Sequence, residues 1–268
     1  MARVAMGEDL MEMNRFAGKV LVITGGAGGL GAAIAQGAGL QGGAIAILDT
    51  NITAIDSLVA NLGSQGITAA GRVVDVRDGT AVTTAIGELA EALSGIDILI
   101  TAAGGSLGTP RDLDDITDDD LDLVLDVNVK GTYYCARACI PHMKKKGGGA
   151  IVTFSSIGGR SASPVTGVPY AAAKAAILGL TRRLAKEVGL DNIRVNAVAP
   201  GLFLTDRLTG MFEKLSSTER DEVLSGIPLG RMPEIRECVD PVLFLASDES
   251  SYITGAVLDV NGGRLMPN

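Results

Sequence analysis

A chain of 268 residues, 47% of them apolar, has enough hydrophobic mass for one large core, and its formal net charge of −8 excludes a nucleic-acid partner held by basic clusters. Three cysteines are too few for a disulfide framework and point to a reduced, cytoplasmic setting, and a single histidine, His142, leaves a His-based zinc site or a Ser-His-Asp triad short of parts. No metal is expected, and no run reaches the roughly eighteen apolar residues of a membrane span.

Residues 1–15 contain charges and no long apolar run, which fits neither a signal peptide nor an anchor, so they read as a flexible extension ahead of one domain at 16–268. The apolar run 19–24 then leads directly into "TGGAGGLG", with a helix opening near Leu30. Glycines at Gly25, Gly28, Gly29 and Gly31 let the backbone turn tightly and approach a pyrophosphate, whose charge faces the free N–H groups of a helix start. The next run, 44–49, ends on Asp49, eighteen residues past Gly31, where a carboxylate accepts from an adenosine ribose; Thr50 or Asn51 can cap the following helix. From Val20 to Gly71 there is no Lys or Arg. A 2′-phosphate beside Asp49 would meet repulsion of about 4 kcal/mol at an effective dielectric near 20, so NAD is favoured over NADP.

Run 69–76 places Asp75 and Val76 to contact an adenine, unless Asp75 is a turn residue, and run 97–104 brings Ala103 and Gly104 to the same side. Thr117 is positioned to cap a helix with Asp118, Asp119 and Asp120 in its first turn; Cys135 and Cys139 sit four apart as buried thiols, and Lys144, Lys145 and Lys146 complement the end of that helix. Run 150–156 ends on Ser155 and Ser156. In "VPYAAAKAAILGLT" Tyr170 and Lys174 lie four apart on one helix face, where the ammonium is placed to lower the pKa of the phenol and make it a usable proton carrier. Run 193–200 precedes an excursion at 202–232, a natural substrate lid, and run 256–263 closes the pattern. These runs are apolar on both faces and alternate with helical stretches. They predict a single-domain α/β fold, a doubly wound parallel sheet of about seven strands that binds ligands at the strand carboxyl ends.

Over 16–263 these features resemble the short-chain dehydrogenase/reductase family, a Rossmann-type fold. Its TGxxxGxG pattern matches Thr24 to Gly31, its YxxxK matches Tyr170 to Lys174, and its catalytic serine matches Ser156, fourteen residues before Tyr170. Asn128 in "DVNVKG", the PGxxxT segment from Pro200 and Gly201 to Thr205, and a C-terminal "GAVLDVNGG" complete the set; the usual NNAG is replaced by Thr101-Ala102-Ala103-Gly104. The resemblance implies Tyr170 as general acid/base, Lys174 tuning it and binding the nicotinamide ribose, Ser156 holding the substrate oxygen, Asn128 organising a proton-relay water and Thr205 binding the carboxamide. It also implies a homotetramer or homodimer. Ser106, Arg160, Ser163, Thr166, Leu202 and Phe203 are the candidate substrate contacts. The leading expectation is an NAD-dependent alcohol dehydrogenase or ketone reductase acting on a secondary alcohol/ketone pair. A 3-oxoacyl-thioester reductase using NADPH and a non-catalytic dinucleotide-binding sensor remain as alternatives.

Overall fold

The computed structural model of the protein describes residues 14–162, 166–203 and 216–266. Its strands are β1 (Val20–Thr24), β2 (Ala44–Asp49), β3 (Ala69–Val73), β4 (Ile98–Thr101), β5 (Gly149–Phe154), β6 (Ile193–Pro200) and β7 (Val257–Val260). They form one seven-stranded parallel sheet in the order β3-β2-β1-β4-β5-β6-β7. The chain winds outward from β1 to β3, then returns beside β1 to build the other half. The reversal between β1 and β4 opens a crevice at the carboxyl ends of the strands, where this architecture binds ligands.

Successive strand side chains point to opposite faces, and both faces are covered. Leu21 and Ile23 of β1 and Ile45 and Ile47 of β2 pack with α1 (Gly29–Leu40) and α2 (Ile52–Ser64). Val22, Ala46 and Leu48 pack on the other side with α3 (Gly79–Ala92) and with Cys135, Cys139 and Met143, which follow α4 (Asp118–Leu125) on α5 (Gly131–Lys146). Each fully buried Leu or Ile contributes about 1.5–3 kcal/mol, so the double-sided pattern holds the sheet in register. On the same side lies α6 (Val168–Val188); α7 (Ser217–Ser225) and α8 (Arg236–Ala246) follow β6. No helix among the described residues is long and apolar enough to cross a membrane.

Local signals act where the sequence put them. Thr117 and Asp120 form a reciprocal capping box at the start of α4, and the three lysines occupy the last turn of α5 before Gly147, which has φ of 84°. Asn51, not Asp49, caps α2 by accepting from Ala54 N at 3.1 Å.

Four strands stop short of their runs, β5 among them, which ends at Phe154 before Ser155 and Ser156. β3 ends at Val73 because Asp75 accepts from Arg77 N at 2.9 Å and from Asp78 N through its own carbonyl at 3.0 Å, which turns the chain. β4 ends at Thr101, and Ala103 N is taken by Thr24 Oγ1 at 3.1 Å instead of a ladder carbonyl. β7 ends at Val260, before Gly262 and Gly263 with φ of 64° and 85°. Each early stop lies at the ligand-binding end, where the backbone leaves the ladder for loop geometry.

Candidate active site

The turn from β1 into α1 is shaped by contacts that tolerate no side chain. A Cβ on Gly25 would lie 2.8 Å from Ala103 Cα, and one on Gly31 would lie 2.1 Å from Gly25 O. Gly29 has φ of 50°, a conformation other residues rarely adopt. Gly28 is different: it is extended, and a Cβ there meets nothing within 4 Å. It faces open space. No side chain caps the start of α1, and its first turn carries no acidic residue. The exposed donors and the positive end of the helix dipole are thus left for an anion.

Asp49 stands beside this loop. Its Oδ2 accepts from Ala27 N at 3.1 Å and its Oδ1 from Asn51 N at 3.1 Å. Each carboxylate oxygen retains acceptor capacity for a ribose hydroxyl. Two basic groups on and just after the neighbouring strand β3 are engaged in ion pairs: Arg72 pairs with Glu88 at 2.6 Å and Arg77 with Asp75 at 2.6 Å. The Asp75 carboxyl is held below its ordinary range chiefly by the hydrogen bonds from Arg77. Asp75 is thus both the turn residue and half of an ion pair, while Val76 is buried against Gly131, where a Cβ would lie 2.6 Å from Val76 Cγ2. These groups fit a nicotinamide dinucleotide: a side-chain-free cradle, unclaimed helix donors and a half-buried carboxylate at the end of β2.

The second half of the site hangs from β5 and α6. Lys174 is buried, and its Nζ donates to Phe154 O at 2.9 Å. No carboxylate among the described residues lies within ion-pair reach of it, and burial brings its pKa down to about 8. Tyr170, one helical turn earlier and half-buried, has its ring centroid 5.7 Å from that Nζ. Ser155 Oγ donates to Lys174 O at 2.8 Å, which clamps the end of β5 to this turn of α6. Ser156, next in the chain, is buried, and its Oγ accepts from Gly158 N at 3.1 Å. A Cβ on Gly159 would come 2.5 Å from Lys174 C, so the short 3-10 turn at Ile157–Gly159 lies directly on the α6 backbone.

Asn128 joins the two halves. It lies in a π-helical turn, Asp126–Lys130, between α4 and α5, where the wider winding disrupts the ordinary ladder. Its Nδ2 donates to Val124 O at 2.8 Å and to Gly105 O at 3.0 Å, and its Oδ1 accepts from Gly105 N at 3.0 Å. Gly104 is packed so closely that a Cβ would sit 2.4 Å from Asn128 Oδ1 and 3.4 Å from Lys174 Nζ. The structure therefore gathers Asn128, Lys174, Tyr170 and Ser156 around the β4 and β5 ends, with Ala103 and Gly104 between them and the glycine cradle. Pro200 ends β6 and Gly201 N donates to Val260 O at 2.8 Å, fixing the start of the following segment.

The substrate contacts expected from the sequence fare differently. Phe203 is buried in the core that contains Phe154 and Val198, so its ring is not a cleft wall. Arg160 is not a free anion handle: its guanidinium donates to Asp259 Oδ2 at 2.8 Å, with only 20% of either side chain exposed. Ser106 is half-buried in the loop after β4, and its carbonyl accepts from Thr109 N at 3.1 Å. Thr166 Oγ1 is buried without a partner, and Leu202 is half-buried. Ser163 and Thr205 lie outside the described residues, as does much of the expected lid. Sequence reasoning missed two site residues. Gly105 gave no signal because its backbone is what matters, and Ser155 is one position away from the spacing that singled out Ser156.

Known proteins are similar to this chain. The family model described as enoyl-(acyl carrier protein) reductase matches residues 25–264. An uncharacterized short-chain type dehydrogenase/reductase of Sinorhizobium fredii is 40% identical, over 93% of this chain and 98% of its own. A 2-dehydro-3-deoxy-L-rhamnonate dehydrogenase (NAD(+)) of a Sphingomonas strain is 34% identical, over 93% and 96%. Among solved structures, a 3-oxoacyl-[acyl-carrier protein] reductase with bound NAD from Brucella melitensis superposes with a TM-score of 0.87 at 32% identity, covering 100% of this chain and 99% of that one. With the glycine cradle, the Tyr170–Lys174 turn and Ser156 gathered at the carboxyl ends of one doubly wound sheet, the chain belongs to the short-chain dehydrogenase/reductase family of oxidoreductases.

Proposed function

We propose that the protein is an NAD(H)-dependent oxidoreductase of secondary alcohols and ketones, with Tyr170 as its general acid/base. The observation that carries this reading is Lys174: a cation buried beneath the Tyr170 ring, with one carbonyl bond and no carboxylate of the described residues in reach. Such a group is costly to the fold, and its ammonium favours the phenolate of the residue one turn away.

Bound NAD supplies the two-electron acceptor. In the oxidative direction Tyr170 takes the hydroxyl proton as the C–H hydride leaves the carbinol carbon and the C=O bond forms. In reduction the Tyr170 hydroxyl donates its proton to the oxygen that has just gained charge, and Ser156 Oγ donates to the same oxygen. Two donors aimed at the developing oxyanion are worth more in a dry site than in water. With its pKa near 8, Lys174 exchanges protons readily close to neutrality, which suits re-protonation of Tyr170. Asn128 holds the Gly105 backbone beside it, and a relay water bound there is part of the same proposal.

NAD in preference to NADP is supported by the Asp49 carboxylate at the end of β2 and by the ion pairs that already hold Arg72 and Arg77. Reduction of 3-oxoacyl thioesters is the second reading, favoured by the likeness to the Brucella reductase. A lid over 202–232 and assembly as a homotetramer or homodimer belong to this proposal; α7 and the exposed Tyr252 and Leu258 near the open β7 edge support them. Incubation with NAD or NADP and a panel of secondary alcohols, read as reduced-nicotinamide absorbance, tests the whole. Tyr170→Phe is expected to lower turnover by about 10² to 10⁴ while NADH binding is retained. Turnover that survives the loss of the phenol sinks the role of Tyr170, and turnover with NADP alone sinks the reading of Asp49.

A further inference from the structure

We propose that Arg160 and Asp259 form a positioning pair that ties the Ser156 turn to the edge strand β7 and so fixes the serine hydroxyl over the reacting oxygen. The inference rests on the reading of Ser156 as donor to the substrate oxygen. Its basis is the way the turn after β5 is held. On one side it is fastened to α6 by Ser155 Oγ to Lys174 O at 2.8 Å and by the packing of Gly159 on the Lys174 backbone. Those contacts act before and beneath the 3-10 turn. On the far side, Arg160 is the residue that ends the turn, and its guanidinium reaches Asp259 Oδ2 at 2.8 Å.

The route between them is set by the sheet. β6 lies between β5 and β7, and Asp259 is in register with Ala199. Parallel partners in register point to the same face, so the residue between the turn and Asp259 is an alanine, whose small side chain leaves room for an arginine to cross. Asp259 is poorly suited to stand alone. Its Oδ1 is buried without a partner, and burial raises its pKa while Arg160 pulls it down. A carboxylate with one orphaned oxygen stays in such a place when its other oxygen is charge-paired, and loss of the arginine leaves it uncompensated. The pair also couples two parts of the site, because Val260, next to Asp259, accepts from Gly201 N at 2.8 Å and thereby anchors the segment after β6.

Hydrogen exchange of the full-length protein tests this without needing a substrate. The amides of Gly159, Arg160 and Ser161 bond to Ser156 O, Ile157 O and Ile157 O, and report directly on the turn. In Arg160→Met they are expected to exchange about tenfold to a hundredfold faster, while the β1 and β4 amides are unchanged. Arg160→Lys, which keeps the charge, is expected to recover much of the protection. Asp259→Asn added to Arg160→Met is expected to cost less than the two single changes summed, because the uncompensated carboxylate is gone. Unaltered exchange in the turn, or a rise spread evenly over the whole sheet, overturns the pair as a positioning device. Turnover is read in parallel on whichever panel alcohol the wild type oxidises. A fall in kcat of about tenfold with KM for NAD unchanged supports a role through Ser156, and local loss of protection with unchanged kcat refutes it. A wild type silent on the panel counts against the proposed function, and the exchange data still decide whether the pair holds the turn.

Discussion

At the amino-terminal ends of the strands, Arg15, Asp97 and Arg194 are bonded within the fold; at the carboxyl-terminal ends, the Lys174 ammonium and the start of α1 are left for something else. The amino end has a cavity of about 260 Å³ lined by Arg15, Lys19, Asp97, Lys146 and Arg194 among others. Arg15 binds Glu249 at 3.0 Å, Asp97 lies 3.4 Å from Lys146, and Arg194 donates to Leu245 O, Ser247 O and Ser250 Oγ around the end of α8. The carboxyl end holds a buried ammonium bonded to a carbonyl with no carboxylate of the described residues in ion-pair reach, an uncapped helix start and a glycine facing empty space. A cavity whose charged side chains are bonded to neighbouring carboxylates, carbonyls and hydroxyls stabilises the fold. A crevice whose donors are unmatched is poised for a ligand, and the contrast locates the chemistry better than cavity size does.

The largest effect should come from the glycines, and it separates packing from binding within one loop. Gly31→Ala puts a methyl 2.1 Å from Gly25 O, a backbone contact that cannot yield, so the loop must rebuild. Loss of several kcal/mol of stability and of NADH binding together is expected, read by thermal denaturation and by NADH fluorescence titration. Gly28→Ala meets nothing within 4 Å on an extended backbone, so its melting temperature should stay within a degree or two of wild type. The methyl nonetheless projects where the pyrophosphate is proposed to lie, and NADH affinity should fall about tenfold or more. Unchanged affinity in Gly28→Ala would remove the cradle from the binding site.

The opposite end offers the reverse experiment. Asp97 is buried, and its Oδ2 accepts from Val20 N at 2.9 Å at the start of β1. Asp97→Ala orphans that donor, at a cost of about 1–3 kcal/mol, and removes a partly exposed ion pair worth about 1 kcal/mol or less. Urea denaturation should show a loss of about 2–4 kcal/mol, while kcat and NADH affinity per folded molecule stay at wild-type values. A change in NADH affinity would mean that the two ends are coupled and that the contrast drawn between them fails.

The same contrast explains what was readable in the sequence. Runs such as 44–49 and 193–200 coincide with β2 and β6 to the residue, because apolarity on both faces is a property of consecutive positions. Thr117, Asn51 and the lysines of α5 were legible for the same reason: a cap and its helix are neighbours in the chain. Arg160 and Asp259 lie 99 residues apart, and nothing near either one signals the other. Phe203 lies two residues past Gly201 in a loop-like segment, and only the packing of the segment after β6 against the sheet and α8 turns it into the core. Asn128 was legible as a residue type at the right place, whereas the π-turn that frees Val124 O for its amide depends on how α4 meets α5.

The smallest expected effect is also the one with the less intuitive sign. In the unfolded chain Lys174 titrates near 10.5, and in the folded protein burial brings it to about 8. Below about pH 8 both forms are protonated and the fold carries the whole penalty of the buried ammonium, about 3 kcal/mol. Between about 8 and 10.5 the unfolded chain binds a proton that the folded chain lacks, so this residue makes stability rise with pH across that window. Lys174→Met removes the charge and keeps most of the volume, but it leaves Phe154 O without its donor, at a cost of about 1 kcal/mol. The net expectation at pH 7 is a gain of about 2 kcal/mol, a melting temperature higher by a few degrees, with turnover lost. The rise in wild-type stability between pH 8 and 10.5 should be correspondingly flatter in the variant. A variant less stable than wild type at pH 7 would mean that Lys174 supports the fold as the charges of the amino end do, rather than burdening it for the sake of Tyr170.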